Sequence, residues 1–202
     1  RNQTMTEATS ASQIVGMPYG VTSQISTTQA PTSSFFGASV LKPGYTEILM
    51  EYSEVLFLLS EANGWSQSYY EQGVRASMEK WNIDSAKINA FVAALPPANK
   101  QNVLTQKYVS LFMQPFEAWA EYRRTGYPNT LLLPGQSAAL NVATASGQTT
   151  YTFTSLIADL TDLPTRIYYP TTVQTLNTDN YKAASTAIGG DKMNTKLIWD
   201  KN

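Results

Sequence analysis

Between Asn99 and Pro128 the apolar residues Leu104, Tyr108, Leu111, Phe112, Pro115, Phe116 and Trp119 step by 4, 3, 1, 3, 1 and 3. That rhythm places them on one stripe of a 3.6-residue helix, the pattern of a core-facing segment. Asn99, just after Pro96-Pro97, predicts the N-cap; Gly126, with Pro128 beyond it, predicts the stop. Pro115 lies inside the stripe, where it removes a backbone donor and crowds the preceding turn, so a kink or a break into two helices is expected near Met113. Arg123 and Arg124 fall in the last turn, where cations suit the negative end of the helix dipole.

Upstream, Thr46 predicts a cap for a helix over 47–63, with Ile48, Tyr52, Val55, Leu56 and Leu59 as its main face. Phe57 and Leu58 add apolar surface on the other side, which predicts a helix buried nearly all round. Glu54 and Glu61 inside so apolar a segment need partners. Gly64 stops it. The next helix begins at Ser66 or Ser68, with Ser68 and Glu71 in capping-box spacing, and gathers Tyr70, Gly73, Val74, Ser77 and Trp81 on one face. A mid-helix glycine costs about 1 kcal/mol against alanine, so Gly73 predicts close approach of another helix. Asp84 caps a third helix running to Leu95, with Ile88, Phe91, Val92 and Leu95 inward. Helices joined by a short glycine-containing link make an αα-hairpin, the unit of tetratricopeptide-type solenoids. The fold class expected is mainly α: tetratricopeptide-like helical hairpins with long loops and minor short β pieces.

The rest of the chain lacks that period. Residues 1–46 are rich in Ser, Thr, Gln and Gly, broken by Pro18, Pro31 and Pro43, and predict irregular coil. Leu131-Leu132-Leu133 and residues 149–154 predict short β pieces. Residues 163–170 are extended by their flanking prolines, and Thr178 caps a last short helix through Ala187. Arg166 is expected to pair with Glu54, Glu61, Glu117 or Glu121.

Composition narrows the chemistry. Charged residues make up 14% of the 202 and the net charge is -1, so no long-range field attracts nucleic acid. Cysteine and histidine are absent, which removes thiol catalysis, Cys/His zinc sites and every Ser-His or Cys-His device. No catalytic residue, metal ligand or cofactor is expected. No apolar run reaches the roughly 18 residues of a membrane span. Glycoside hydrolysis needs two carboxylates facing each other across a sugar. Glu117 and Glu121 instead share a helix face beside arginines, which reads as salt-bridging.

Several ordered segments resemble one family. Trp119-Ala-Glu121-Tyr-Arg123-Arg124-Thr125-Gly126-Tyr-Pro128 is similar to the "W-x-E-x-R-R-T-G-x-P" segment of SusD/RagB-like nutrient-binding lipoproteins. Pro164-Thr-Arg166-Ile-Tyr-Tyr169-Pro170, then Asn177 and Asn180, resembles the family's "P-x-R-x-x-Y-P … N" segment. Gly189-Gly190-Asp191 and Trp199-Asp200 follow in order, and Tyr52 to Trp81 resembles the preceding repeat helices. The resemblance covers residues 40–202. It implies a SusD-like α/α superhelix: residues 47–202 as a C-terminal helical domain and 1–46 as the edge of a missing N-terminal half. It further implies a non-catalytic nutrient-binding role, on glycan or oligosaccharide with peptide also possible. The expected partner is a SusC-like TonB-dependent transporter barrel. The expected place is the external face of the outer membrane, reached by lipid anchoring through an N-terminal segment absent here. A start at Arg1 fits a processed piece of something longer.

No family motif transfers ligand residues, so these are read from the sequence. Tyr19, Phe35, Phe36 and Tyr45 lie in coil outside any helical stripe, and Trp65 sits in the turn after Gly64. Aromatic rings stack on the C–H faces of sugars, which makes these five the candidate ligand-binding platform. The competing reading is that they plug the coil onto the helical body. A second class of function, a helical-repeat scaffold binding peptides or protein partners, accounts for residues 47–95 but not for the segments around Arg166 and Gly189.

Overall fold

The computed structural model describes residues 14–38, 40–157, 160–198 and 200. Trp199 and residues 1–13, on which part of the closing motif and of the expected coil fall, lie outside the described residues. The chain is mainly helical and divides into two compact units. One is built on Ser33–Leu131; the other combines Met17–Thr32 with the chain from Leu132 onward. Among the described residues no helix is long and apolar enough to cross a membrane.

In the first unit, α2 (Tyr52–Ala62) and α3 (Gln67–Lys80) form the expected hairpin. Helix α4 (Ser85–Ala93) packs on α3, and α5 (Lys100–Ser110) packs on both α2 and α3. The core gathers Phe57, Tyr70, Val74 and Val103, with Met78, Val92 and Leu95 against it. Gly73 has the role its sequence position implies: a Cβ there would lie 2.9 Å from the ring of Phe57. Asp84 caps α4 through the Ala86 and Lys87 amides.

Helix α2 starts later than expected, at Tyr52 rather than Glu47, and Thr46 caps nothing. Glu51 is the reason. Its backbone is extended (φ −106°, ψ 143°) and its buried carboxylate takes Lys80, Gln114 Nε2 at 2.7 Å and Ser53 Oγ at 3.2 Å. Nor is the helix buried all round. Ser53, Leu56, Phe57 and Ser60 face inward, while Tyr52, Leu58 and Leu59 are exposed. Apolar residues on both sides left the period ambiguous, and the small serines settle it: Ser60 Oγ donates to the Ser66 carbonyl at 2.8 Å, at the foot of the hairpin link.

The central stretch breaks where proline requires. Asn99 Oδ1 accepts from the Asn102 amide and caps α5, Met113 takes a left-handed φ of 79°, and Pro115 opens α6 (Pro115–Thr125). The interruption rotates the stripe, so that Phe116, expected inside, is 79% exposed while Glu121 and Tyr122 are buried. Gly126, at φ 73°, ends α6 in the left-handed conformation that favours glycine.

The second unit departs more from the sequence pattern. Residues 23–29, expected as coil, form α1 (Ser23–Gln29), followed by a 3-10 turn over Ala30–Thr32. Its residues are Ser, Thr and Gln around one isoleucine, so no apolar period announces it, and its one buried residue is Gln29. The Gln29 amide donates to the Val142 carbonyl at 2.7 Å and accepts from the Val142 N–H at 3.1 Å, pairing with the backbone as a strand would. Leu131–Leu133 is not a strand; Ser137–Ala139 (β1) pairs antiparallel with Thr150–Thr152 (β2), Ala138 opposite Tyr151. Helix α7 (Thr171–Leu176) was not expected, and α8 (Thr178–Ala187) was.

Arg166 pairs with Asp191 at 2.7 Å, not with the glutamates of the helical unit. The carboxylate also accepts from the Tyr169 N–H and the Tyr181 hydroxyl, both at 3.2 Å. Burial alone would raise the Asp191 carboxyl; the Tyr169 amide, Arg166 and Tyr181 outweigh it and hold it below the usual range.

Candidate functional site

Two features of the helical unit carry concentrated chemistry. The first is a charge network beneath α6. Lys107 Nζ, 2% exposed, donates to Glu121 Oε2 at 2.8 Å. Arg124 reaches the same carboxylate through Nη2 at 2.8 Å and grips Glu61 bidentately at 2.7 and 2.6 Å. The Arg124 bond draws the Glu61 carboxyl below its ordinary value, against the opposing effect of burial. Glu54 goes the other way: burial pushes its carboxyl up, against the attraction of Lys107. Perturbed carboxylates cluster at active sites. Here, however, Glu121 is enclosed between two cations and Glu61 is clamped by one, so neither is poised to take a proton from a substrate. The network ties α2, α5 and α6 together. Glu117, the other member of the i, i+4 pair, is exposed.

The second feature is a groove at the α5–α6 break. Leu111, Phe112, Met113 and Pro115 line it from the break, Tyr108 from the turn before, and Phe36 from the preceding loop, around a cavity of about 480 Å³. That lies within the roughly 300–1,000 Å³ of small-molecule clefts. Two of its rings touch each other, and one of them touches Trp81 outside the lining. Phe36 meets Phe112 at 6.1 Å between centroids, and Phe112 meets Trp81 edge-on at 6.0 Å. Lys80 Nζ stands 4.7 Å above the Trp81 ring. The break creates this hollow: without the left-handed turn at Met113 the helix would continue and fill it. Gln114 holds the turn by donating to Glu51.

The five aromatics singled out from sequence are not gathered in one place. Phe36 lines the groove and is 41% exposed; its neighbour Phe35 is 62% exposed. Tyr45 is half-buried in the loop before α2. Trp65, at a left-handed φ of 66°, packs against the Phe57–Tyr70–Val74–Val103 cluster. Tyr19 belongs to the other unit. Its hydroxyl donates to the Leu132 carbonyl at 2.9 Å and accepts from the Leu132 amide at 2.6 Å, and its ring meets Phe153 edge-on at 5.8 Å. The groove's other rings, Tyr108 and Phe112, were read only as part of a core stripe. The signal that could have found them is Pro115, because a broken stripe leaves part of its apolar face beside a gap.

The chain as a whole is similar to known proteins. Residues 1–152 match the model of the SusD-like family, described as starch-binding and associating with the outer membrane. No curated protein matches the chain. Among solved structures, a SusD-like protein of Bacteroidetes AC2a is similar at 29% identity and a TM-score of 0.67, over 85% of this chain and 34% of its own. A chitin-binding protein is similar at 28% identity and a TM-score of 0.65, over 85% of this chain and 37% of its own. The chain thus spans about a third of the length of the structures it resembles.

Proposed function

The chain belongs to the SusD-like family, described as starch-binding and associating with the outer membrane, and from that premise we propose that it is part of a non-catalytic glycan-capturing component of an outer-membrane uptake complex. The observation that carries this reading is the aromatic series at the α5–α6 break. Phe36 and Phe112 line the groove with centroids 6.1 Å apart, Trp81, which does not line it, meets Phe112 edge-on, and Phe36 is open to solvent. Such rings accept the C–H faces of hexoses without forming a covalent bond. The ligand class fits the family description and the chitin-binding neighbour: an oligosaccharide of glucose or of N-acetylglucosamine. Phe35 and Phe36 are the primary platform in this reading. Tyr45 and Trp65, which do not line the groove, are separate secondary contacts in this reading, and Tyr19 belongs to the other unit. The remaining two-thirds of the protein, a SusC-like TonB-dependent barrel as transport partner, and a lipid anchor holding the protein on the external face of the outer membrane complete the proposal.

A peptide ligand is the second reading. It is favoured by one observation: apart from the Tyr108 hydroxyl the groove is apolar, which suits an aliphatic or aromatic side chain. Calorimetry separates the two. Maltohexaose or chitohexaose should bind the full chain, and Phe36→Ala should weaken binding roughly 5–10-fold, the loss of one ring contact of about 1–1.4 kcal/mol. Affinity unchanged from the unsubstituted chain in both Phe36→Ala and Phe35→Ala would overturn the platform, and hydrolysis of either oligomer would overturn the non-catalytic reading.

A further inference from the structure

The second unit contains a cleft that the aromatic platform does not use. It is larger, about 780 Å³, and lies between the start of α1 and the strand β2 with the loop beyond it. Thr22, Gln24 and Ile25 form one wall, and Gln148, Phe153 and Leu156 face them. Among the described residues, none that lines it is charged. A carboxylate, sulfate or ammonium group entering it would find no opposite charge among those residues, whereas a hydroxyl would find neutral donors and acceptors. The apolar parts of the wall are equally specific. Phe153 is held from behind, because its ring lies against Gly20, where a Cβ would collide with it, and the Tyr19 ring meets its edge. Leu156 is fully exposed at the mouth.

Neutral amides and hydroxyls surround this fixed ring. The Gln148 amide nitrogen is anchored on the Thr150 carbonyl at 2.7 Å, which leaves its oxygen as an acceptor. Thr154 and Ser155 add hydroxyls that can both donate and accept. A rigid ring face beside uncharged donors and acceptors matches a ligand with apolar C–H faces and many hydroxyls but no charge. We propose that this cleft is a second oligosaccharide site, specific for uncharged sugars and independent of the groove at Phe36. The proposal rests on the carbohydrate-binding reading above and assigns that chemistry to residues which that reading leaves unused.

The test is calorimetry on the full chain carrying Phe36→Ala together with Phe35→Ala, which takes away both primary rings of the first platform. Maltohexaose and chitohexaose are the neutral probes, and trigalacturonate is the charged one. One neutral probe should still bind. Adding Gln24→Ala and Leu156→Ala, both at exposed positions, should weaken that remaining binding at least tenfold. Trigalacturonate should bind at least tenfold more weakly than the better neutral probe. Phe153→Ala should abolish the binding; should that variant not fold, the Gln24→Ala and Leu156→Ala chain carries the result alone. Loss of all binding on Phe36→Ala with Phe35→Ala overturns the second site and leaves the carbohydrate function standing. So does residual binding unchanged by Gln24→Ala and Leu156→Ala. Equal binding of trigalacturonate overturns the neutral specificity. Failure of the unsubstituted chain to bind either neutral oligomer overturns both readings together.

Discussion

In the helical unit the buried charges Glu51, Lys107 and Glu121 are met by other side chains, beside the buried neutral Ser53, Ser60, Ser110 and Gln114. Lys107 and Glu121 are 2% and 7% exposed, and Glu51 takes Lys80 and Gln114 out of water. In the other unit much of the comparable work falls to neutral groups reaching backbone: Gln29 on Val142, Tyr19 on Leu132, Tyr151 on the Tyr19 carbonyl, and Thr165 on the Met193 and Thr195 carbonyls. The difference follows from what each unit must satisfy. Helices satisfy their own backbone, so their side chains meet chiefly one another. Long loops leave amides and carbonyls over, and side chains must supply partners. The Arg166–Asp191 pair combines both, since its carboxylate also takes a backbone amide.

The largest expected effect tests the charged half of this contrast. Glu121→Ala leaves Lys107 buried without its carboxylate and should lower stability by about 3–5 kcal/mol in urea denaturation. The double change Lys107→Met with Glu121→Leu should recover most of that loss. If the single change costs less than about 1 kcal/mol, the network is not what joins α5 to α6. Next comes Asp191→Asn, which keeps some hydrogen-bonding capacity but removes the charge facing Arg166, at about 2–3 kcal/mol. Because the folded carboxyl lies below its ordinary value, its contribution is fully present above the unfolded pKa and is lost as pH falls through the folded one. The gap between wild type and variant should therefore close in acid. A gap independent of pH would reduce the pair to a neutral contact.

Gly73→Ala probes packing rather than charge. Phe57 is 1% exposed and cannot move from a Cβ at 2.9 Å, so overpacking should outweigh alanine's helix preference, for a net loss of about 1–2 kcal/mol. Phe57→Leu in the same chain should recover part of it. This is also where the sequence was most legible. A glycine inside a clean helical period marks close approach without any structure, and the caps at Asp84 and Asn99 and the break at Pro115 rest on equally local chemistry. What was not legible depended on partners far along the chain. Nothing near Glu51 reveals that Gln114 will hold it extended, and nothing near Arg166 points to Asp191. Helix α1 hides because its buried face is a glutamine. Of the candidate ligand residues, Phe36 could be found from its exposure in coil, whereas Gln24 and Gln148 could not, since a lone glutamine in a polar loop has no pattern to set it apart.

The smallest effect decides whether the helical unit's charges are all in service of its stability. Glu54 lies in α2 beside the network, yet burial pushes its carboxyl above the ordinary 4.5, with Glu117, Glu121 and Glu51 adding repulsion against the pull of Lys107. A carboxyl whose folded pKa is raised binds its proton more tightly when folded, so its ionised form weakens the fold. That cost is absent below the unfolded pKa and grows as pH rises through the raised folded value. Glu61 has the opposite sign, since its pKa is lowered by Arg124. Glu54→Gln should therefore raise stability in urea denaturation at pH 7, by less than about 1 kcal/mol for a partly exposed group, and the gain should shrink as pH falls below the unfolded pKa and Glu54 takes up its proton in both states. A loss at pH 7 would mean that Lys107 draws net support from both glutamates, which would extend the charged framework of the helical unit to a residue that burial alone disfavours.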